Sequence, residues 1–150
     1  MQIFEKIFGE YLFSTDKSKL EIGTIHHFLS KESYWSQNIP LATVRKSLEN
    51  SLCYGVYHQN RQIGFARIIT DFATFAYAAD VFIIDEFRGK DLSKILMETI
   101  ISHPDLQGLR RWMLGTRDAH GLYAKCGFTP LAKPIRFMEK HNPEAYQNIE

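Results

Sequence analysis

Apolar positions change their period along the chain, and the changes mark out the elements. Tyr11-Leu12-Phe13 forms a short strand-like opening, and Ser14-Thr15-Asp16 offers turn and cap chemistry for a helical pattern from about Leu20 to Leu29. Ser33-Tyr34-Trp35-Ser36-Gln37-Asn38 has no clear period and reads as an aromatic loop; Pro40 then stands where a helix from Leu41 to Asn50 can begin. Leu52 to Tyr57 and Ile63 to Ile69 are apolar strands joined through His58 to Gln62, which predicts a hairpin. Thr74 to Ile84 follows the polar break at Asp71 and has the composition of a central strand. Leu92, Ile95, Leu96, Thr99 and Ile100 recur at helical spacing until His103-Pro104 stops them. Arg110 to Leu114 is a further strand, Asp118 can cap a short helix reaching Lys125, and Ile135 to Met138 completes the pattern as a last strand. This order, without repeats or a long linker, predicts a mixed α/β domain.

Composition narrows the picture. With 150 residues, 45% of them hydrophobic, the chain suits one domain spanning 1–150. Eighteen basic and seventeen acidic residues leave a net charge of +1, so bulk electrostatics favour neither nucleic acid nor an anionic membrane as partner. No apolar run approaches the roughly twenty residues of a membrane span, and a cytoplasmic protein is expected. Cys53 and Cys126 lack paired-thiol or metal-ligand spacing, and no metal role is expected for them or for His26-His27.

The segment Ile83-Ile84-Asp85-Glu86-Phe87-Arg88-Gly89-Lys90-Asp91-Leu92-Ser93 feeds an apolar strand into a helix. A loop of this kind presents free N–H groups and the positive end of a helix dipole to a diphosphate; Arg88 and Lys90 add charge, and Gly89 permits close backbone approach. Taken alone it is equally a solvated turn.

Arg88-Gly89-Lys90-Asp91-Leu92-Ser93 resembles motif A of the GNAT superfamily of acetyltransferases, Gln/Arg-x-x-Gly-x-Gly/Ala after a strand. Leu122-Tyr123-Ala124-Lys125-Cys126-Gly127-Phe128 is similar to that family's Leu-Tyr-x-Lys-x-Gly-Phe signature. The resemblance implies the GNAT fold, a mostly antiparallel twisted sheet with splayed strands flanked by helices. It also implies acetyl-CoA as cosubstrate, bound by Arg88 to Ser93, with backbone groups of Val81, Phe82 and Ile83 on the pantetheine amides. Asp91 and Ser93 depart from the motif's small residues. An aspartate at position 91 either opposes the diphosphate and caps the helix amides itself, or turns to solvent from a left-handed conformation that aspartate tolerates.

By the same resemblance Tyr123 is the general acid that protonates the departing thiolate, against a core-aromatic alternative. Asp80 matches the aspartate in a Glu-Asp-Leu-Tyr-Val run of small-amine members, with Ala79 in place of the glutamate; it is a candidate base or a buried carboxylate satisfied by a neighbouring strand or arginine. Tyr34 and Trp35 border the acceptor site or seal a core. Asp118 occupies a place where relatives often carry a CoA-contacting asparagine, or acts simply as an N-cap. The expected activity is transfer of acetyl from acetyl-CoA to a primary amine of a small molecule. A GNAT-fold acyl-CoA-binding module with little turnover and a peptide or protein N-acetyltransferase are the alternatives. A strand edge in the C-terminal half could support a homodimer.

Overall fold

The computed structural model describes residues 1–147. Six strands form one sheet in sequential order: β1 (Glu5–Phe8), β2 (Tyr11–Ser14), β3 (Leu52–His58), β4 (Arg61–Thr70), β5 (Phe75–Ile83) and β6 (Arg111–Leu114). All neighbours are antiparallel except β5 and β6, which run parallel. That one parallel pair needs a crossover, supplied by helix α3 (Leu92–Ile101). Helices α1 (Ile22–His27) and α2 (Leu41–Glu49) lie between β2 and β3 in sequence, and α4 (His120–Ala124) follows β6.

The helices cover both faces of the sheet. On one face Leu92, Ile95, Leu96, Met97 and Ile100 of α3 pack on Tyr54, Val56, Ile63, Ile68 and Ala78. On the other, Ile25, Val44 and Leu48 of α1 and α2, with Phe28, Leu29 and Ile39 from the segment between, pack on Cys53, Phe65 and Phe82. Phe28 and Phe82 stack with ring centroids 3.9 Å apart, which ties the first helical segment to the end of β5.

Four local features differ from the sequence-based expectation. Strand β1 was not anticipated because Glu5-Lys6-Ile7-Phe8 is fully exposed and half polar; it pairs through a two-residue turn opened by Gly9 at φ +57°. The helix expected to Leu29 keeps α geometry only over Ile22–His27, then widens into a π-helical turn over Phe28–Glu32. Asp16 caps the short 3₁₀ turn Lys17–Lys19, accepting from Ser18 N at 2.9 Å, rather than α1 itself. Ile135 to Met138 forms no strand: Pro134 starts a 3₁₀ turn through Arg136, and Ile135 and Met138 are exposed.

Candidate active site

The site arises where β5 and β6 part. Their pairing runs from Phe75↔Arg111 to Ala78↔Leu114 and then stops. Just beyond, β5 carries a bulge: Arg67 of β4 faces Ala79 and Phe65 faces Phe82, so Asp80 and Val81 oppose the single residue Ala66. Asp80 adopts φ +53°, the left-handed conformation that such an extra residue often needs. A one-residue insertion reverses which face each later side chain meets. Ala76 and Ala78 therefore belong to the α3 side, whereas Phe82 reaches the α1/α2 side. The bulge and the splay leave β5 without a strand partner on the β6 side beyond Ala78, where Ile83 O is met instead by the Arg88 side chain.

Between the separated strands lies a cleft of about 790 Å³. One wall is Tyr77 to Ile83, the other Gly115 to Ala119 with Leu122 and Tyr123; Arg88 and Ser93 stand at one end, and Tyr34, Trp35 and Arg67 at the other. The cofactor, acid and acceptor positions expected from sequence thus converge on one cavity, although Gly89, Lys90, Asp91 and Leu92 are not among its lining residues.

At the Arg88 end, Gly89 has φ +79° and Asp91 φ +60°. Two left-handed residues flanking Lys90 curl the backbone in the manner of an anion-binding nest. Asp91 occupies the N-cap position of α3, but its exposed carboxylate makes no cap hydrogen bond. The first bond of the helix runs from Ile95 N to Asp91 O at 3.1 Å, so the amides of the preceding turn remain open to another acceptor. Arg88 braces the loop: its Nε donates to Ile83 O at 3.0 Å and its guanidinium pairs with Asp85 at 2.9 Å. Lys90 Nζ lies 5.4 Å from the Phe87 ring centroid. Leu92 is buried under the helix and anchors it to the sheet.

Tyr123 projects from α4 and meets Phe128 edge-on at 6.0 Å. Burial, with Tyr34 and Cys126 nearby, pushes its phenol up to about 12. It is therefore protonated across the physiological range. Asp118 does not cap α4. Ala119 holds the N-cap position, Thr116 Oγ1 accepts from Ala119 N at 3.0 Å, and the Asp118 carboxylate pairs with Arg117 at 3.2 Å.

At the opposite end Asp80 is almost fully enclosed, its side chain 7% exposed. Oδ2 accepts from Arg67 Nε at 2.8 Å and Oδ1 from Trp35 Nε1 at 2.8 Å. Arg67 was missed in the sequence, although one cation in the apolar run of β4 beside one carboxylate in that of β5 was the available signal. Tyr34 meets Trp35 at 5.0 Å, and its hydroxyl accepts from Arg117 N at 2.8 Å. Among the described residues no group of three His, Cys, Asp or Glu could hold a metal ion, and no helix is long and apolar enough to cross a membrane.

Three similarities accompany this geometry. A family model described as an acetyltransferase (GNAT) domain matches residues 49–130, from the end of α2 past α4. A candidate acetyltransferase of Gibberella zeae is 32% identical, covering 78% of this chain and 77% of its own. The crystal structure of a candidate GNAT-family acetyltransferase from Xanthomonas campestris pv. campestris is 49% identical and superposes with a TM-score of 0.91 over 95% of this chain and 100% of that one. A GNAT-family acetyltransferase from Elizabethkingia anophelis, solved with acetyl-CoA bound, shares the fold at 15% identity, with a TM-score of 0.56 over 85% of this chain and 75% of that one.

Proposed function

Because the chain belongs to the GNAT family of acetyltransferases, and is therefore an acyltransferase, we propose that it moves acetyl from acetyl-CoA to the primary amine of a small acceptor within the cleft between β5 and β6. The observation that carries this reading is the convergence of Arg88 and Ser93, the two ends of the turn, with the edge of β5 beyond Ala78 and Tyr123 on one cavity. Acetyl-CoA in the Elizabethkingia anophelis structure supports the choice of cosubstrate.

In this reading the diphosphate rests on the amides between Gly89 and Ser93, with Lys90 adding charge and Arg88 holding the loop in shape. Asp91 turns its carboxylate to solvent while its left-handed backbone completes the curl. Val81, Phe82 and Ile83 offer backbone groups to the pantetheine amides, and Asp118, paired with Arg117, edges the same channel.

The neutral amine attacks the thioester carbonyl, a C–N bond forms, and the C–S bond breaks to release CoA as its thiolate. Tyr123 donates a hydrogen bond to the departing sulfur. A phenol near 12 is a weak acid beside a thiol of about 8.5, so the hydroxyl stabilises the thiolate and solvent completes its protonation. The amine gives its proton to water in the open cleft. Asp80 has both oxygens engaged, one by Arg67 Nε and the other by Trp35 Nε1, so it fixes the acceptor end rather than acting as base.

Release of free CoA thiol over a panel of primary amines tests the proposal. Amine-dependent release supports it; acetyl-CoA binding without release over the whole panel would favour a binding module, and release only with peptides would move the acceptor class.

A further inference from the structure

The loop between α1 and α2 does more than border the cleft, because two adjacent residues reach its two opposite walls. Trp35 Nε1 donates to Asp80 on β5 at 2.8 Å. Tyr34 Oη accepts from the backbone N–H of Arg117, in the turn after β6, at 2.8 Å. The Arg117 guanidinium also stacks over the Tyr34 ring at 4.0 Å. Asp80 is in turn held by Arg67 on β4, whose Nη1 extends to Ser51 Oγ at 3.3 Å.

The root of the loop is rigid. Ser33 Oγ donates to Leu29 O at 2.6 Å and accepts from Ser36 N at 3.0 Å, and Asn38 N donates to Ser30 O at 3.1 Å. Ser30, Ser33 and Ser36 are buried, whereas Tyr34 and Trp35 are about 40% exposed at the mouth. An aromatic strap thus crosses the cleft where the parallel strands have already separated, and it is tied at each end by an arginine.

We propose that Tyr34 and Trp35 form a clasp that bounds the acceptor end of the cleft and restricts acceptors to slender amines, with Arg67 and Arg117 as its positioning residues. Arg67 acts through Asp80, and Arg117 through its backbone N–H and its stacking. The inference rests on reading the cleft as the acetyl-transfer site, but its structural half can be measured without turnover.

The experiment uses the full chain in a Trp112→Phe background, which leaves Trp35 as the sole tryptophan. Arg67→Ala is expected to red-shift Trp35 emission and to raise the KM for a short linear amine at least tenfold, with acetyl-CoA affinity unchanged. Arg67→Lys restores both in part. Trp35→Ala is expected to raise the kcat/KM of a branched or aryl amine relative to the linear one at least tenfold. Tyr34→Phe, a gentler change, keeps the stacked ring, removes the hydroxyl and shifts the same ratio in the same direction.

Unchanged Trp35 emission in Arg67→Ala, or unchanged amine selectivity in Trp35→Ala, overturns the proposal. So does an Asp80→Asn variant that loses the acidic limb of the pH profile while emission and acceptor KM stay put, since Asp80 would then be the base. Absence of turnover in the parent protein together with the expected emission shift would instead refute the transfer reading and leave the clasp standing.

Discussion

Replacing Asp91 separates charge from backbone conformation at the proposed cofactor loop. The residue is exposed, sits at φ +60° and makes no cap hydrogen bond. A solvent-facing carboxylate about 8 Å from a diphosphate opposes each unit charge by about 0.5 kcal/mol in water, and physiological salt screens that by more than half. Asp91→Asn removes the charge yet tolerates the left-handed region, so acetyl-CoA affinity should rise no more than about twofold and stability should hold within about 0.5 kcal/mol. Asp91→Ala removes charge and tolerance together. It should destabilise the protein by about 1 kcal/mol, since left-handed geometry costs a Cβ-bearing residue about 1–2 kcal/mol, and should weaken binding several-fold. Calorimetric titration gives the affinities and denaturant unfolding the stabilities. A tenfold tighter complex in Asp91→Asn, about 1.4 kcal/mol, would refute the reasoning by showing that the carboxylate faces the phosphates.

Other consequences are equally direct. Tyr123→Phe should lower kcat about 10- to 100-fold with acetyl-CoA affinity unchanged, and no limb of the wild-type pH–rate profile below about pH 11 should arise from Tyr123. Asp71 ties the β4–β5 turn by accepting from the amides of Ala73, Thr74 and Phe75 and from the Thr74 hydroxyl, contacts that hold its carboxyl well below the usual range. The stability this contributes is present above the unfolded value of about 3.9 and is lost as pH falls through the lower folded value. Asp71→Ala should therefore lower the Tm at pH 7, and the gap to wild type should narrow in melts at steadily lower pH. A Cβ at Gly55 would overlap the buried Tyr57 ring, so Gly55→Ala should destabilise by about 1–3 kcal/mol in denaturant titrations.

The strands and helices with strong apolar periods, β3 to β5, α2 and α3, were legible in the sequence because burial imposes the period. So was the place of the loop between β5 and α3, in which Asp91 takes the left-handed conformation that aspartate tolerates. What escaped was set by non-local partners. Strand β1 has no buried face to leave a pattern and exists through its register with β2. The bulge at Asp80 depends on the offset between β4 and β5, which neither strand reveals alone. Arg67 gains its meaning only when that offset sets it against Asp80. Asp118 offered the right chemistry for a cap, but Thr116, two residues earlier, reached the amide instead.

The central claim, that the turn from Arg88 to Ser93 holds acetyl-CoA, is tested most directly by titrating acetyl-CoA into wild type and Gly89→Val. At φ +79° a β-branched residue cannot keep the loop's curl, while open space around the position spares the rest of the fold. One equivalent should bind wild type, with affinity lost at least tenfold in a variant that keeps its far-ultraviolet circular dichroism. No binding to wild type at millimolar ligand, or equal affinity in both proteins, would contradict the account.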